Sequence, residues 1–275
     1  MRILIVGGSG FLGCEVARQA TADGHAVTAT FASRAGSLPG VHWLPLDLRR
    51  AGEIEAVVGE VRPDVVVNAA YRKGDWGVTA DGAIRLAMAV GACGSRLVHV
   101  SSDAVFSGSD VRYHESATPD PVTPYGAAKA AAETAIRLLA PDTVIARTSL
   151  IVGDGGSPHE DFVHELAEGR REGVLFTDVI RCPVHVADLA AALLELAATD
   201  HTGVCHLGGP DAVSRHELGV LIAARDGLDA ARLPAGRRAD VNNPGALDVR
   251  LDSGRTQRTL RTRLRGACEF LRRPD

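Results

Sequence analysis

The first twenty-two residues constrain this chain more than any other stretch. Arg2-Ile3-Leu4-Ile5-Val6 is a short apolar run suited to a strand buried on both faces. It leads into Gly7-Gly8-Ser9-Gly10-Phe11-Leu12-Gly13, and a helical stretch follows to Ala22. Gly7, Gly10 and Gly13 have G-x-x-G-x-x-G spacing, which lets backbone approach a pyrophosphate while the helix start offers N–H groups and a positive dipole end. A glycine-rich turn alone would read the same way. The strand before it, the helix after it and a second strand at 26–31 are the context that favours a dinucleotide site. Gly7, Ser9, Gly10, Phe11, Leu12 and Gly13 are therefore cofactor-binding candidates.

Strand and helix patterns alternate onward. Strands are expected near 2–6, 26–31, 41–46, 64–68, 96–101 and 143–147, with helices near 11–22, 52–61, 79–92 and 124–139. That alternation implies an α/β fold with a doubly wound parallel sheet over residues 1–150. Residues 151–275 are expected to form mostly a smaller C-terminal lobe, with a helix near 159–168 and a Pro/Gly/Asn-rich loop over 234–246. A helix near 185–198, carrying His185 and Asp188 as structural residues, should return to pack on the sheet.

The chain has only three tyrosines, and lysines only at 73 and 129, yet Tyr125 and Lys129 stand four residues apart in an alanine-rich stretch after Pro124. One helical turn puts both on one face. A tyrosine beside a lysine ammonium would titrate below its usual value of about 10 and could move protons near neutral pH. The plain alternative is a solvated surface pair. The strand Arg96-Leu97-Val98-His99-Val100 ends in Ser101-Ser102-Asp103. In an open parallel sheet, ligands bind beyond the carboxyl ends of strands, so Ser102 could meet a carbonyl facing Tyr125. A serine there could equally cap the next turn.

A net charge of −4 and a pI near 6.2 argue against a nucleic-acid partner. The basic C-terminal run (Arg255, Arg258, Arg261, Arg263, Arg265, Arg272, Arg273) recurs beside Leu260, Leu264 and Leu271 and reads as a solvated helix face. No signal peptide or membrane span is expected, because the first apolar run is short and enters the glycine loop. Five scattered cysteines suggest a reduced, cytoplasmic setting, and ten histidines without ligand spacing suggest no metal.

These blocks together resemble the extended short-chain dehydrogenases/reductases, and most of all the dTDP-4-dehydrorhamnose reductases. The resemblance rests on the glycine triplet, Asn68-Ala69-Ala70, Ser101-Ser102-Asp103-Ala104-Val105-Phe106, Tyr125 with Lys129, Arg147-Thr148-Ser149 and Leu251-Asp252-Ser253-Gly254-Arg255. It implies a Rossmann domain with Ser102, Tyr125 and Lys129 as the catalytic set: Tyr125 the acid, Lys129 lowering its pKa and bonding the nicotinamide ribose, Ser102 orienting the carbonyl. It implies that Asp47 and Leu48 border the adenine, and that Ala69, Ala70 and Tyr71 line the cofactor. It also implies that Asp103, Ala104, Leu150 and Arg181 face the substrate, Arg181 on a diphosphate.

Ala29-Thr30-Phe31-Ala32-Ser33-Arg34 ends the second strand without an acid. Ser33 and Arg34 could receive a 2′-phosphate, so NADP(H) is expected over NAD(H). Three positions depart from the family pattern: Ala104 where tyrosine is usual, Leu150 where tryptophan is usual, and Thr79 where many members carry asparagine. Losing two aromatics removes contact area from the sugar pocket. The reading is thus an NADPH-dependent ketoreductase of a nucleotide-linked keto-deoxysugar or similar carbonyl, with dTDP-4-keto-rhamnose disfavoured and a homodimer conceivable. The alternatives are a non-catalytic NADP-binding regulatory subunit and a sugar-nucleotide epimerase or dehydratase.

Overall fold

The computed structural model describes residues 1–241 and 245–272; Arg273 of the basic run and residues 242–244 of the expected loop lie outside that range. Seven strands form the central sheet: β1 (Arg2–Val6), β2 (Ala26–Phe31), β3 (Val41–Pro45), β4 (Val65–Asn68), β5 (Arg96–Ser102), β6 (Val144–Thr148) and β7 (Gly203–Leu207). Their order is β7-β6-β5-β4-β1-β2-β3, and every neighbouring pair is parallel. The long helices are α1 (Phe11–Ala22), α2 (Ala51–Val61), α3 (Gly82–Ala92), α4 (Pro124–Leu139), α5 (Pro158–Ala167), α6 (Val186–Ala197) and α7 (Arg215–Asp226).

The continuous apolar strands have a physical reason. Successive side chains point to opposite faces, and both faces are covered by helices. Ile3 and Ile5 join Val65, Val67, Val98 and Val100 in a core closed by α1 and α6. Leu4 and Val6 join Val66, Leu97 and Ile145 in the opposite core under α2, α3 and α4. At about 1.5–3 kcal/mol for each fully buried aliphatic side chain, these two cores supply most of the sheet's stability.

Chain direction across the sheet reverses at β1, which pairs with β2 on one side and β4 on the other. The loops after β1 and β4 therefore diverge, opening the crevice in which doubly wound folds bind ligands.

Two segments differ from their sequence reading. Residues 203–207, expected with the C-terminal lobe, extend the sheet as β7 by pairing with β6. The basic C-terminal run is not one helix: only α8 (Gly254–Gln257) and α9 (Ala267–Phe270) are helical there. Side chains capture the backbone between them. Glu195 of α6 accepts from the amides of Arg261 and Thr262, and Gln257 donates to the Thr262 carbonyl and accepts from the Leu264 amide. Asp188 holds the backbone and guanidinium of Arg265, which fixes its structural role. Leu264 thereby enters the core under α6, whereas Leu271 enters a separate core built on α5 and α7.

His185 caps α6 by accepting from the Ala187 amide. Among the described residues, no helix is long and apolar enough to cross a membrane, and no cluster of three His, Cys, Asp or Glu side chains could hold a metal ion.

Candidate active site

The glycine loop fits a dinucleotide by the space it leaves. Gly7 has φ +81°, and a Cβ on it would lie 2.8 Å from the Cα of Ala70. A Cβ on Gly13 would lie 2.2 Å from the Gly7 carbonyl, so α1 can begin against the turn only with glycine there. Gly10 precedes α1 without a side-chain cap, leaving the helix-start amides available to a phosphate. The Gly7 amide donates to Thr30 Oγ1, tying the loop to the end of β2. Ser9 is exposed in this turn, whereas Gly10, Phe11, Leu12 and Gly13 line a cavity of about 990 Å³.

Ser102, Tyr125 and Lys129 line the same cavity. Thr123 starts α4 by accepting from the Gly126 amide, with Pro124 at the first helical position. Gly126 is required: a Cβ there would sit 2.0 Å from the Ala104 carbonyl. This close approach seats the start of α4 against the segment that follows Ser102, whose hydroxyl acts on the Tyr125 phenol.

The electrostatics correct one expectation. Burial pushes the Tyr125 phenol well above its ordinary value, Tyr71 and Asp103 add to the rise, and the bond to Ser102 offsets only part of it. Among the described residues, Lys129 makes no hydrogen bond to this phenol. Its ammonium donates to the Val100 carbonyl at 2.9 Å, and burial lowers its own pKa to about 8 despite Glu133 one turn on. A buried ammonium takes the strongest acceptor within reach, and here that is the end of β5.

Tyr71, 52% exposed, faces the pair: its ring centroid lies 5.8 Å from that of Tyr125 and 5.9 Å from Lys129 Nζ. Ala69 also lines the cavity, and the amide of Ala70 is held by Asn68 Oδ1. Thr79 is buried outside the wall. Its hydroxyl donates to the Arg72 carbonyl and accepts from the Arg72 amide, bracing the segment after Tyr71.

The residues assigned to the substrate are close together but unequally available. Ala104 and Leu150 line the cavity as small or aliphatic side chains. Asp103 accepts from Ser149 Oγ at 2.7 Å and stands 3.6 Å from Arg181 Nε. Arg181 also donates to the carbonyls of Ile180, Ala246 and Leu247. Its guanidinium reaches the wall but is largely consumed in bracing the 246–247 segment.

The outer cofactor candidates divide similarly. Ser33 and Arg34 are exposed just beyond β2. Asp47 is gripped by the backbone and guanidinium of Arg49, which lowers its pKa to about 2, and Leu48 is buried in the core under α2 and α3.

Sequence reasoning missed a group of cavity residues contributed by four distant segments: Lys73, His159, Arg215 and Arg238. No local motif joins them. One signal was available: Ser214-x-x-Glu217 marks a helix start, and an arginine directly after the cap opposes the helix dipole.

Glycine cradle, crevice and the Ser102–Tyr125–Lys129 set on one cavity define an NAD(P)-dependent oxidoreductase of the extended short-chain dehydrogenase/reductase class. The chain belongs to the RmlD substrate binding domain family, whose family model matches residues 1–264. The spore coat polysaccharide biosynthesis protein SpsK of Bacillus subtilis is 30% identical over 243 residues, covering 84% of this chain and 82% of that protein. The dTDP-4-dehydrorhamnose reductase of Streptomyces griseus is 34% identical over 222 residues, covering 75% and 68%. Among solved structures, a hypothetical dTDP-4-dehydrorhamnose reductase from Sulfolobus tokodaii superposes with TM-score 0.81 at 30% identity, covering 95% of this chain and 96% of that one.

Proposed function

We propose that this chain is an NADPH-dependent ketoreductase whose substrate is a nucleotide-linked keto-deoxysugar. The observation that carries the reading is the convergence of Ser102, Tyr125 and Lys129 on the cavity whose floor is the glycine loop. When bound, the reduced nicotinamide supplies the hydride. The residues supply position and a proton. Ser102 orients the carbonyl oxygen, and Tyr125, fully protonated at neutral pH because burial raises its pKa, donates to that oxygen as it gains charge. Lys129, mostly cationic at pH 7, holds the nicotinamide ribose. Arg34 and Ser33, past the end of an acid-free β2, favour the 2′-phosphate of NADPH.

The matched relatives named for reductive sugar-nucleotide chemistry support the substrate class, and the cation-rich cavity suits a ligand carrying phosphate. Ala104 and Leu150 leave room beside the carbonyl subsite, so the sugar differs from the rhamnose precursor or carries a bulkier substituent. Purified protein is incubated with NADPH and a panel of nucleotide-linked 3-keto and 4-keto sugars, following the loss of NADPH absorbance and product mass. Reduction of at least one, with dTDP-4-keto-rhamnose poor, is expected. Silence across the panel with NADPH still bound would favour the non-catalytic regulatory reading.

A further inference from the structure

We infer that Arg215, oriented by His159, is the residue that recognises the substrate's diphosphate, in place of Arg181. The inference rests on the nucleotide-linked reading above and assigns that ligand to particular side chains.

Charge balance around the cavity comes first. Its wall carries Arg72, Lys73, Lys129, Arg181, Arg215 and Arg238, whereas among the described residues Asp103 is the only carboxylate lining it. Asp103 is already shared between Ser149 Oγ and Arg181. So many cations around one committed acid repel one another unless an anion enters.

Arg215 directs its side-chain hydrogen bond to a histidine rather than to a carboxylate. It is largely enclosed yet keeps an edge on the cavity, and among the described residues no carboxylate forms an ion pair with it. Burial, with Arg181 and Arg238 adding to it against an opposing pull from Asp103, lowers its pKa to about 10. A guanidinium in that position is costly to the fold unless an anion repays it.

Its place in α7 adds to the cost. Ser214 caps the helix with Glu217 in a capping box, which puts Arg215 at the first helical position, where the dipole disfavours a cation. His159 occupies the second helical position of α5, after the Ser157 cap and Pro158, so two helix starts face this part of the cavity. Burial, with help from Arg215 and Lys73, lowers the His159 pKa to about 3. The ring is therefore neutral, and its Nδ1 accepts from Arg215 Nη1 at 3.3 Å. One guanidinium N–H is spent on fixing its orientation, and the others are left for a planar, bidentate contact of the kind phosphate oxygens accept. Arg181, by contrast, spends its donors on three carbonyls and Asp103.

The test uses the full chain saturated with NADPH, so that the cofactor's own phosphate sites are filled. dTDP, UDP, dTMP and UMP are titrated calorimetrically into wild type, Arg215→Gln, Arg215→Lys and Arg181→Gln. Wild type should bind at least one of the diphosphates at least ~10-fold more tightly than its monophosphate. Arg215→Gln should lose about 10- to 100-fold of diphosphate affinity, the range of a charge-assisted contact, with NADPH affinity unchanged. Arg215→Lys should fall between, and Arg181→Gln should lose less than Arg215→Gln. Unchanged diphosphate binding in Arg215→Gln overturns the assignment while leaving the nucleotide-linked reading intact. Absence of any diphosphate binding to NADPH-loaded wild type overturns that reading and the inference together. If Arg215→Gln fails to bind NADPH, Arg215→Lys decides: affinity equal to wild type for monophosphate and diphosphate alike overturns the inference.

Discussion

Lys129 donates to the Val100 carbonyl at 2.9 Å, so the one-turn spacing from Tyr125 to Lys129 does not put the ammonium on the phenol. The lysine's charge is held by a backbone dipole at the end of β5, with Glu133 as the one carboxylate acting on it. Its burial costs stability whenever it is protonated.

That cost has a sign and a pH window. The folded pKa, about 8, lies below the ordinary lysine value, so the folded state loses its proton first. Between about pH 8 and 10.5 the unfolded chain binds more protons than the native one, and this group makes stability rise with pH. Urea unfolding of wild type and Lys129→Met should show the variant more stable at pH 7, by a few kcal/mol at most, with the gap closing by pH 10. A gap that stays constant with pH would mean Lys129 titrates normally.

Tyr125→Phe should lower NADPH oxidation on an accepted keto-sugar by about 10²–10⁴-fold while leaving NADPH affinity nearly unchanged. The raised phenol pKa adds a second expectation: no loss of activity attributable to Tyr125 ionisation appears below about pH 10. Turnover retained in Tyr125→Phe would remove it from the acid role.

The exposed Arg34 beyond β2 should make NADPH bind more tightly than NADH. Arg34→Ala should cost NADPH about 10-fold or more in calorimetric affinity and leave NADH nearly unchanged. Equal wild-type affinities for the two cofactors would show that 2′-phosphate recognition lies elsewhere.

The sheet was legible because its signals are local. The apolar runs at β1, β4 and β5 announce strands buried on both faces, and Gly7, Gly10 and Gly13 announce the turn between β1 and α1. Tyr125, Lys129 and Ser102 were legible for the same reason, each set by spacing within one element. What sequence could not give was the partner each side chain takes. Lys129 turns to Val100, Asp47 to Arg49, and Arg181 to the 246–247 carbonyls, all choices fixed by packing. The Arg261–Arg265 segment misled because its leucines have helical spacing while Glu195 and Asp188, some 60 to 80 residues earlier, unwind it. His159 and Arg215 meet across 56 residues, beyond any local pattern.

A buried ion pair braces β6 against α4 behind the site. Arg147 and Glu133 are each 1% exposed and form a bidentate ion pair between β6 and α4, with Ser101 Oγ donating to the same carboxylate. Arg147 also donates to the carbonyls of Glu115 and Ala117 and stacks over Phe106. Breaking such a pair strands a buried charge, so Arg147→Met should destabilise the protein by about 3–5 kcal/mol. Glu133 would then retain only Ser101 among these partners. The double variant Glu133→Leu/Arg147→Met removes both charges and should recover much of the loss, because the pair's mutual attraction mainly offsets its own desolvation. Urea unfolding of the three proteins at pH 7 measures the cycle. A double variant as unstable as the sum of its single changes would show that the two residues act independently and that the ion pair does not organise this junction.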